Sequence, residues 1–220
     1  MPRTLQLDPN KFPKRTITFS GDSQTHNYVL GVAPTVQWPQ LVADSLNADG
    51  AHVKSRNLGI NGTTTTQMLS RVDGMYHYEI PEIAVLAGGV NDPGGGISTA
   101  TTQSNVEAWI AAVVAAGVTR VLICNIPYRN FSSSYTSTRD TLSTPYAQNE
   151  TLRTALSDDA YTYMRNLIVA GTVADGVAPG ITDFHIIDGN QHLSLTGHAY
   201  YADAVVECIQ AQTGWVTAIT

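Results

Sequence analysis

What most limits the fold of this chain is an alternation along its length. Short runs rich in β-branched and apolar residues are each followed by a longer run with helical spacing. The β-type runs fall at residues 16–20, 52–57, 83–86 and 120–126, with 184–187 a candidate fifth. Between them, Pro39 suits the first turn of a helix over 38–47. Val106, Trp109, Ile110, Val113 and Val114 recur at helical intervals, and Gly117 follows as a stop. Leu152, Leu156, Met164, Leu167 and Ile168 suggest a further helix, and residues 196–212 a last one. Strands that alternate with helices of about 10–15 residues imply crossover connections and a parallel sheet. In such sheets the ligand site lies beyond the carboxyl ends of the strands. Residues 1–15 carry Pro2, Pro9 and Pro13 and read as an extended arm; residues 16–220 read as a single domain.

Composition narrows the partners. Charged residues are only 14% of the chain, and the net charge is −6. With Lys11, Lys14 and Lys54 as its lysines, the chain offers no electrostatic footprint for nucleic acid or an anionic membrane. No apolar run approaches the roughly 18 residues of a membrane span. The first twenty residues show no signal-peptide core, and the compartment stays open. Cys124 and Cys208 cannot build a disulfide framework and read as buried thiols.

The residues after each strand therefore carry the functional reading. Gly21-Asp22-Ser23 follows the first strand. Gly21 permits a sharp turn that would present Ser23 at the mouth of the sheet; the ordinary alternative is an Asp/Ser turn. After the second strand, Gly59 and Gly62 in Asn57-Leu58-Gly59-Ile60-Asn61-Gly62-Thr63 let backbone N–H groups approach an oxyanion. The absence of the Gly-Lys-Ser/Thr ending argues against a phosphate-binding P-loop. Gly88-Gly89-Val90-Asn91-Asp92-Pro93 follows the third strand, where Asn91 could point an amide into the same crevice or simply form a turn. Near the C-terminus, Asp188 and His192 could serve as a carboxylate and base. A metal pair of His192 and His198 lacks a supporting carboxylate cluster.

These four segments, in order, resemble the blocks of the SGNH, or GDSL-type, hydrolase family, from residue 16 to about residue 212. The resemblance implies a flavodoxin-like three-layer α/β/α sandwich around a central parallel sheet, and serine esterase chemistry without metal or cofactor. It makes Ser23 the nucleophile and His192 the general base. The oxyanion hole would comprise the N–H groups of Ser23 and Gly62 and the side-chain amide of Asn91. The family spaces its last pair as Asp-x-x-His, whereas here three residues separate Asp188 from His192. Asp188 in a bulged loop, Asp183, or a backbone carbonyl could each orient the imidazole.

The expected function is hydrolysis of short acyl esters, O-acetyl groups on carbohydrate foremost, through an acyl-serine intermediate. The motive is the polar stretch 127–147, with Tyr128, Phe131, Tyr135 and Tyr146 available to stack on sugar rings. Two alternatives stand beside it: a lysophospholipase or thioesterase for longer chains, and a non-catalytic carbohydrate-binding or virion-associated module on this fold. The sequence leaves the oligomeric state open.

Overall fold

The computed structural model describes residues 15–26, 34–124, the strand at 161–163 and residues 192–210. Five strands form one parallel sheet in the order β2-β1-β3-β4-β5. They are β1 (Arg15–Gly21), β2 (Val53–Asn57), β3 (Ile83–Ala87), β4 (Arg120–Ile123) and β5 (Tyr161–Tyr163). The helices among the described residues are α1 (Trp38–Ala48), α2 (Thr65–Leu69), α3 (Val72–Met75), α4 (Thr99–Ala115) and α5 (Leu195–Gln210), with a 3-10 turn at Pro34–Val36.

β3, in the middle of the sheet, is buried and apolar on both faces, as a parallel sheet covered on both sides requires. Successive side chains of β3 point to opposite sides. Ile83, Val85 and Ala87 join Phe19, Trp38, Val42, Leu46, Tyr201 and Val205 in one core, beneath α1 and α5. Ala84 and Leu86 join Met68, Val106, Trp109, Ile110 and Val113 in the other, beneath α2, α3 and α4. Helices on both faces of one parallel sheet make the expected three-layer α/β/α arrangement. Each buried Leu, Ile or Val side chain contributes about 1.5–3 kcal/mol relative to exposure.

Local chemistry sets the helix ends. Pro39 falls in the first turn of α1. The Ser98 hydroxyl caps α4 by accepting the Thr101 N–H at 3.2 Å. Gly117 N–H and Val118 N–H close the other end of α4 on the carbonyls of Val114 and Val113. At the amino ends of the strands, Glu82 pairs with Arg15 and Arg120 at 3.4 and 3.7 Å, far from the carboxyl ends that matter for function.

Several limits differ from the sequence reading, among them the end of β4, at Ile123 rather than at 126. β1 already begins at Arg15, the last residue of the expected arm. Tyr161–Tyr163 pairs with Val121–Ile123 as a strand, inside a segment whose apolar spacing suggested a helix. The Tyr-Thr-Tyr sequence has strong β preference, and an open edge on β4 gives it a ladder to join. The expected strand at 184–187, the stretch 127–147, Asp183 and Asp188 lie outside the described residues.

Candidate active site

β1 ends at Gly21, in register with Ala87 of β3. A side chain at Gly21 would run into the Thr25 hydroxyl and the Ala87 carbonyl oxygen, so the close approach of these segments requires glycine. Asp22 follows, fully buried. Its carboxylate accepts the Gln24 N–H at 2.9 Å, and its carbonyl accepts the N–H groups of Thr25 and His26 at 3.1 and 2.8 Å. This side-chain-capped turn leaves Ser23 half-buried at its crest. The Trp38 indole N–H donates to the Gln24 carbonyl at 2.9 Å and ties the turn to α1. Trp38 is itself held edge-on by Phe19, with ring centroids 5.0 Å apart, and packed against Tyr201.

The loop after β2 is stitched to the same strand end. Leu58 N–H donates to the Phe19 carbonyl at 2.8 Å, and Ile60 N–H to the Gly21 carbonyl at 3.1 Å. The Thr63 hydroxyl lies 3.2 Å from that Gly21 carbonyl and 2.8 Å from the Ile60 carbonyl. Gly62 sits between these anchors, exposed and with φ of +68°, a conformation that glycine adopts without the steric cost of a Cβ. Among the described residues, neither the Ser23 nor the Gly62 N–H is taken by an internal hydrogen bond. Both amides are therefore available to a ligand.

Asn91 follows β3, half-buried. Its side-chain amide donates one hydrogen to the Thr63 carbonyl at 3.1 Å. An amide NH2 has two hydrogens, so this bond orients the group, and among the described residues the second hydrogen has no acceptor. The turn that carries Asn91 is anchored by Asp92, fully buried. The Asp92 carboxylate accepts the Thr65 N–H at 2.8 Å, the Thr65 hydroxyl in a very short contact, and the Thr102 hydroxyl at 2.7 Å. One side chain thus joins the turn to α2 and α4.

His192 stands just ahead of α5, half-buried. The next two residues explain how it is held. Leu193 is sunk in the core. The Ser194 hydroxyl caps α5 by accepting the Gly197 N–H at 3.0 Å. One turn on from Ser194, buried His198 accepts the Trp38 N–H at Nδ1, 3.4 Å away. Burial first, and the nearby His192 second, push the His198 pKa down to about 4. His198 is thus a neutral packing residue that connects the start of α5, through Trp38, to the Ser23 turn. Among the described residues no group of three or more His, Cys, Asp or Glu side chains could hold a metal ion.

The structure therefore brings three of the sequence-predicted residues, Ser23, Gly62 and Asn91, onto one network of hydrogen bonds at the carboxyl edge of the sheet, and ties the segment of His192 to it. Asp188 lies outside the described residues. Sequence reasoning passed over the framing residues: Thr63, Asp92, Trp38 and Asn57, whose amide bonds the Thr25 carbonyl and the Gly59 N–H. Asn57 at a strand end and Asp92 after Asn91 were the available signals, but both also suit plain turns.

Comparisons with known proteins bear on the family and the fold. The profile of the GDSL-like lipase/acylhydrolase family matches residues 19–199. An arylesterase of Vibrio mimicus is 27% identical over 103 residues, a stretch that covers 47% of this chain and 50% of that protein. The aligned stretch thus spans half the length of that curated relative. Among solved structures, the lipase/acylhydrolase of Enterococcus faecalis superimposes with a TM-score of 0.68 at 25% identity, covering 90% of this chain and 96% of its own. TesA superimposes with a TM-score of 0.70 at 21% identity, covering 90% and 99%. A variant of Axe2, an acetyl-xylooligosaccharide esterase of Geobacillus, gives 0.66 at 15% identity, covering 89% and 94%.

Proposed function

The chain belongs to the GDSL-like lipase/acylhydrolase family, and on that premise we propose that it is a carboxylic ester hydrolase working through an acyl-serine intermediate. The observation that supports this reading is the hydrogen bonding that ties the Ser23 turn, the Gly62 loop and Asn91 together at the carboxyl edge of the sheet.

In the proposed mechanism the Ser23 hydroxyl attacks the ester carbonyl while His192 takes its proton. The carbonyl oxygen gains charge, and the three donors meet it without rearrangement. His192 then returns the proton to the departing alcohol, and water repeats the sequence on the acyl-enzyme. Asp188 accepts the Nδ1–H of His192, fixing its tautomer and supporting the imidazolium. A preset oxyanion donor contributes about 3–4 kcal/mol to the barrier.

For the substrate we propose short acyl groups, with O-acetylated carbohydrate as the natural class. The polar, tyrosine-bearing stretch 127–147 supports it. One observation favours a longer acyl or aryl group instead: Ile60 and Leu195, close in sequence to Gly62 and His192, are 47% and 59% exposed. The deciding experiment compares hydrolysis of p-nitrophenyl acetate and octanoate, with acetate release from acetylated xylan. Wild-type protein should prefer acetate, and Ser23→Ala should be inactive on every ester while remaining folded. A serine-directed phosphonate should label Ser23 alone. Full activity in Ser23→Ala would overturn the mechanism; preference for octanoate would overturn the substrate class.

A further inference from the structure

The N–H groups of Ser23 and Gly62 belong to different loops, and strand pairing alone does not fix their separation. The β1–β2 register ends at Phe19 opposite Asn57. Beyond that pair, β1 continues alongside β3 only, through Ser20 and Gly21. The two loops leave the sheet from there, and something past the last rung must hold them together.

The Asn57 side chain spans that gap. Its Nδ2 donates to the Thr25 carbonyl at 2.6 Å. Its Oδ1 accepts the Gly59 N–H at 2.9 Å. Only one orientation of the amide satisfies both bonds, because a carbonyl accepts and an N–H donates. The consequence for Ser23 is specific. Two residues before it, the Gly21 carbonyl is held by Ile60 N–H. Two residues after it, the Thr25 carbonyl is held by Asn57. Ser23 is thus pinned on both sides to the loop that carries Gly62. His26 adds a parallel strut, its Nδ1–H donating to the Gly59 carbonyl at 2.8 Å.

We propose that Asn57 is a positioning residue for catalysis: its amide bridges the Ser23 turn and the Gly62 loop and sets the spacing of their two N–H groups. This rests on the serine-esterase reading above. Asn57 touches no reacting atom; it acts through Thr25 and Gly59. It is also exposed at the end of an edge strand, so its substitution removes little packing. A displacement near 1 Å between catalytic groups costs on the order of 10²-fold in rate. With the Ile60 and His26 bonds still present, the expected loss for Asn57→Ala is about 10- to 100-fold.

The test uses the full chain and p-nitrophenyl acetate. Asn57→Ala should lower kcat about 10- to 100-fold with KM within twofold of wild type, because the misplaced donors matter only as charge develops. Asn57→Asp is nearly isosteric and still accepts the Gly59 N–H, yet it turns a carboxylate oxygen toward the Thr25 carbonyl. It should lose at least as much. A second readout separates positioning of the oxyanion hole from general damage. In a Ser23→Cys background, alkylation by iodoacetamide displaces iodide at a saturated carbon and forms no oxyanion. Adding Asn57→Ala should leave that rate within twofold. Esterase activity within twofold of wild type in both single variants would overturn the proposal, as would a KM effect alone or an equal fall in the alkylation rate. If wild-type protein neither hydrolyses the ester nor takes a phosphonate label, the serine-esterase reading fails and carries this proposal with it. An active wild type with unaffected Asn57 variants refutes only the role of Asn57.

Discussion

Removing the Asp92 carboxylate offers a quantitative check on how the proposed oxyanion donor is supported. In Asp92→Ala three donors lose their acceptor: the Thr65 N–H, the Thr65 hydroxyl and the Thr102 hydroxyl. They do not suffer equally. The Thr102 hydroxyl also lies 3.2 Å from the Ser98 carbonyl and can fall back on it, so its loss is near zero. The Thr65 hydroxyl still accepts from Asn105 Nδ2 at 3.0 Å but has lost the group it donates to, worth about 1 kcal/mol. The Thr65 N–H is buried in the first turn of α2 and is left orphaned, at about 1–3 kcal/mol. The expected destabilisation is therefore about 3 kcal/mol, or about 6–12 °C in Tm for a chain of this size. Asp92→Asn should cost only about 1 kcal/mol. Its oxygen still accepts the Thr65 N–H, and its new NH2 faces hydroxyls that can turn round and accept. Activity should follow, because the Asn91 turn loses its tie to α2 and α4. We expect kcat in Asp92→Ala to fall by at least about tenfold, or about 1.4 kcal/mol, with a smaller fall in Asp92→Asn. Calorimetry and steady-state kinetics on the two variants measure both quantities. Equal Tm values for wild type and Asp92→Ala, or an Asn variant less stable than the Ala variant, would refute the ranking of these hydrogen bonds.

The other expectations are more direct. Asn91→Ala should lower kcat by about 10²–10³ with little change in KM, measured on p-nitrophenyl acetate; a change in KM alone would make Asn91 a substrate-binding group. If Asp188 orients His192, Asp188→Ala should cost about 10⁴ in kcat, whereas a loss within about tenfold would leave a Ser23–His192 dyad oriented by a carbonyl. Gly21→Ala should destabilise the fold by about 1–3 kcal/mol in chemical denaturation, since its methyl group would meet Thr25 and the Ala87 carbonyl. The depressed pKa of His198 means that the unfolded chain takes up a proton the folded chain does not. Stability present above pH 6.5 should therefore decline as pH falls toward 4, by up to about 3 kcal/mol from this group, and His198→Asn should flatten that part of the urea-midpoint profile.

The parts of the fold legible in the sequence are those with a local physical cause. α4 announces itself through the spacing of Val106, Trp109, Ile110 and Val113, all of which face the core. β3 does so as a run buried at every position, which a sheet covered on both faces demands. The placement of Ser23, Gly62 and Asn91 was legible for a topological reason: each follows a parallel strand, and such strands deliver their carboxyl ends to one edge. Tyr161–Tyr163 was not legible, because its strand character is realised through a ladder with β4, whose paired residues lie 40 positions earlier.

The framing of the site escaped the sequence for a related reason. Asp92 meets Thr65 across 27 residues, Asn57 meets Thr25 across 32, and Thr63 meets Gly21 across 42. Nothing in the spacing of a Thr or an Asn along the chain distinguishes such a bond from a solvated turn. These contacts nevertheless determine what the legible residues can do. A serine on a glycine turn is only a hydroxyl; it faces an oxyanion site only if the neighbouring loop is held at the right distance. Here that distance is held by hydrogen bonds from side chains onto backbone carbonyls and amides of the loops themselves. Such bonds fix backbone positions directly, so the two main-chain N–H groups proposed as oxyanion donors need no side chain of their own. Residues lining this edge could therefore change to suit different esters while the Asn57, Thr63 and Asp92 bonds keep the donors in place.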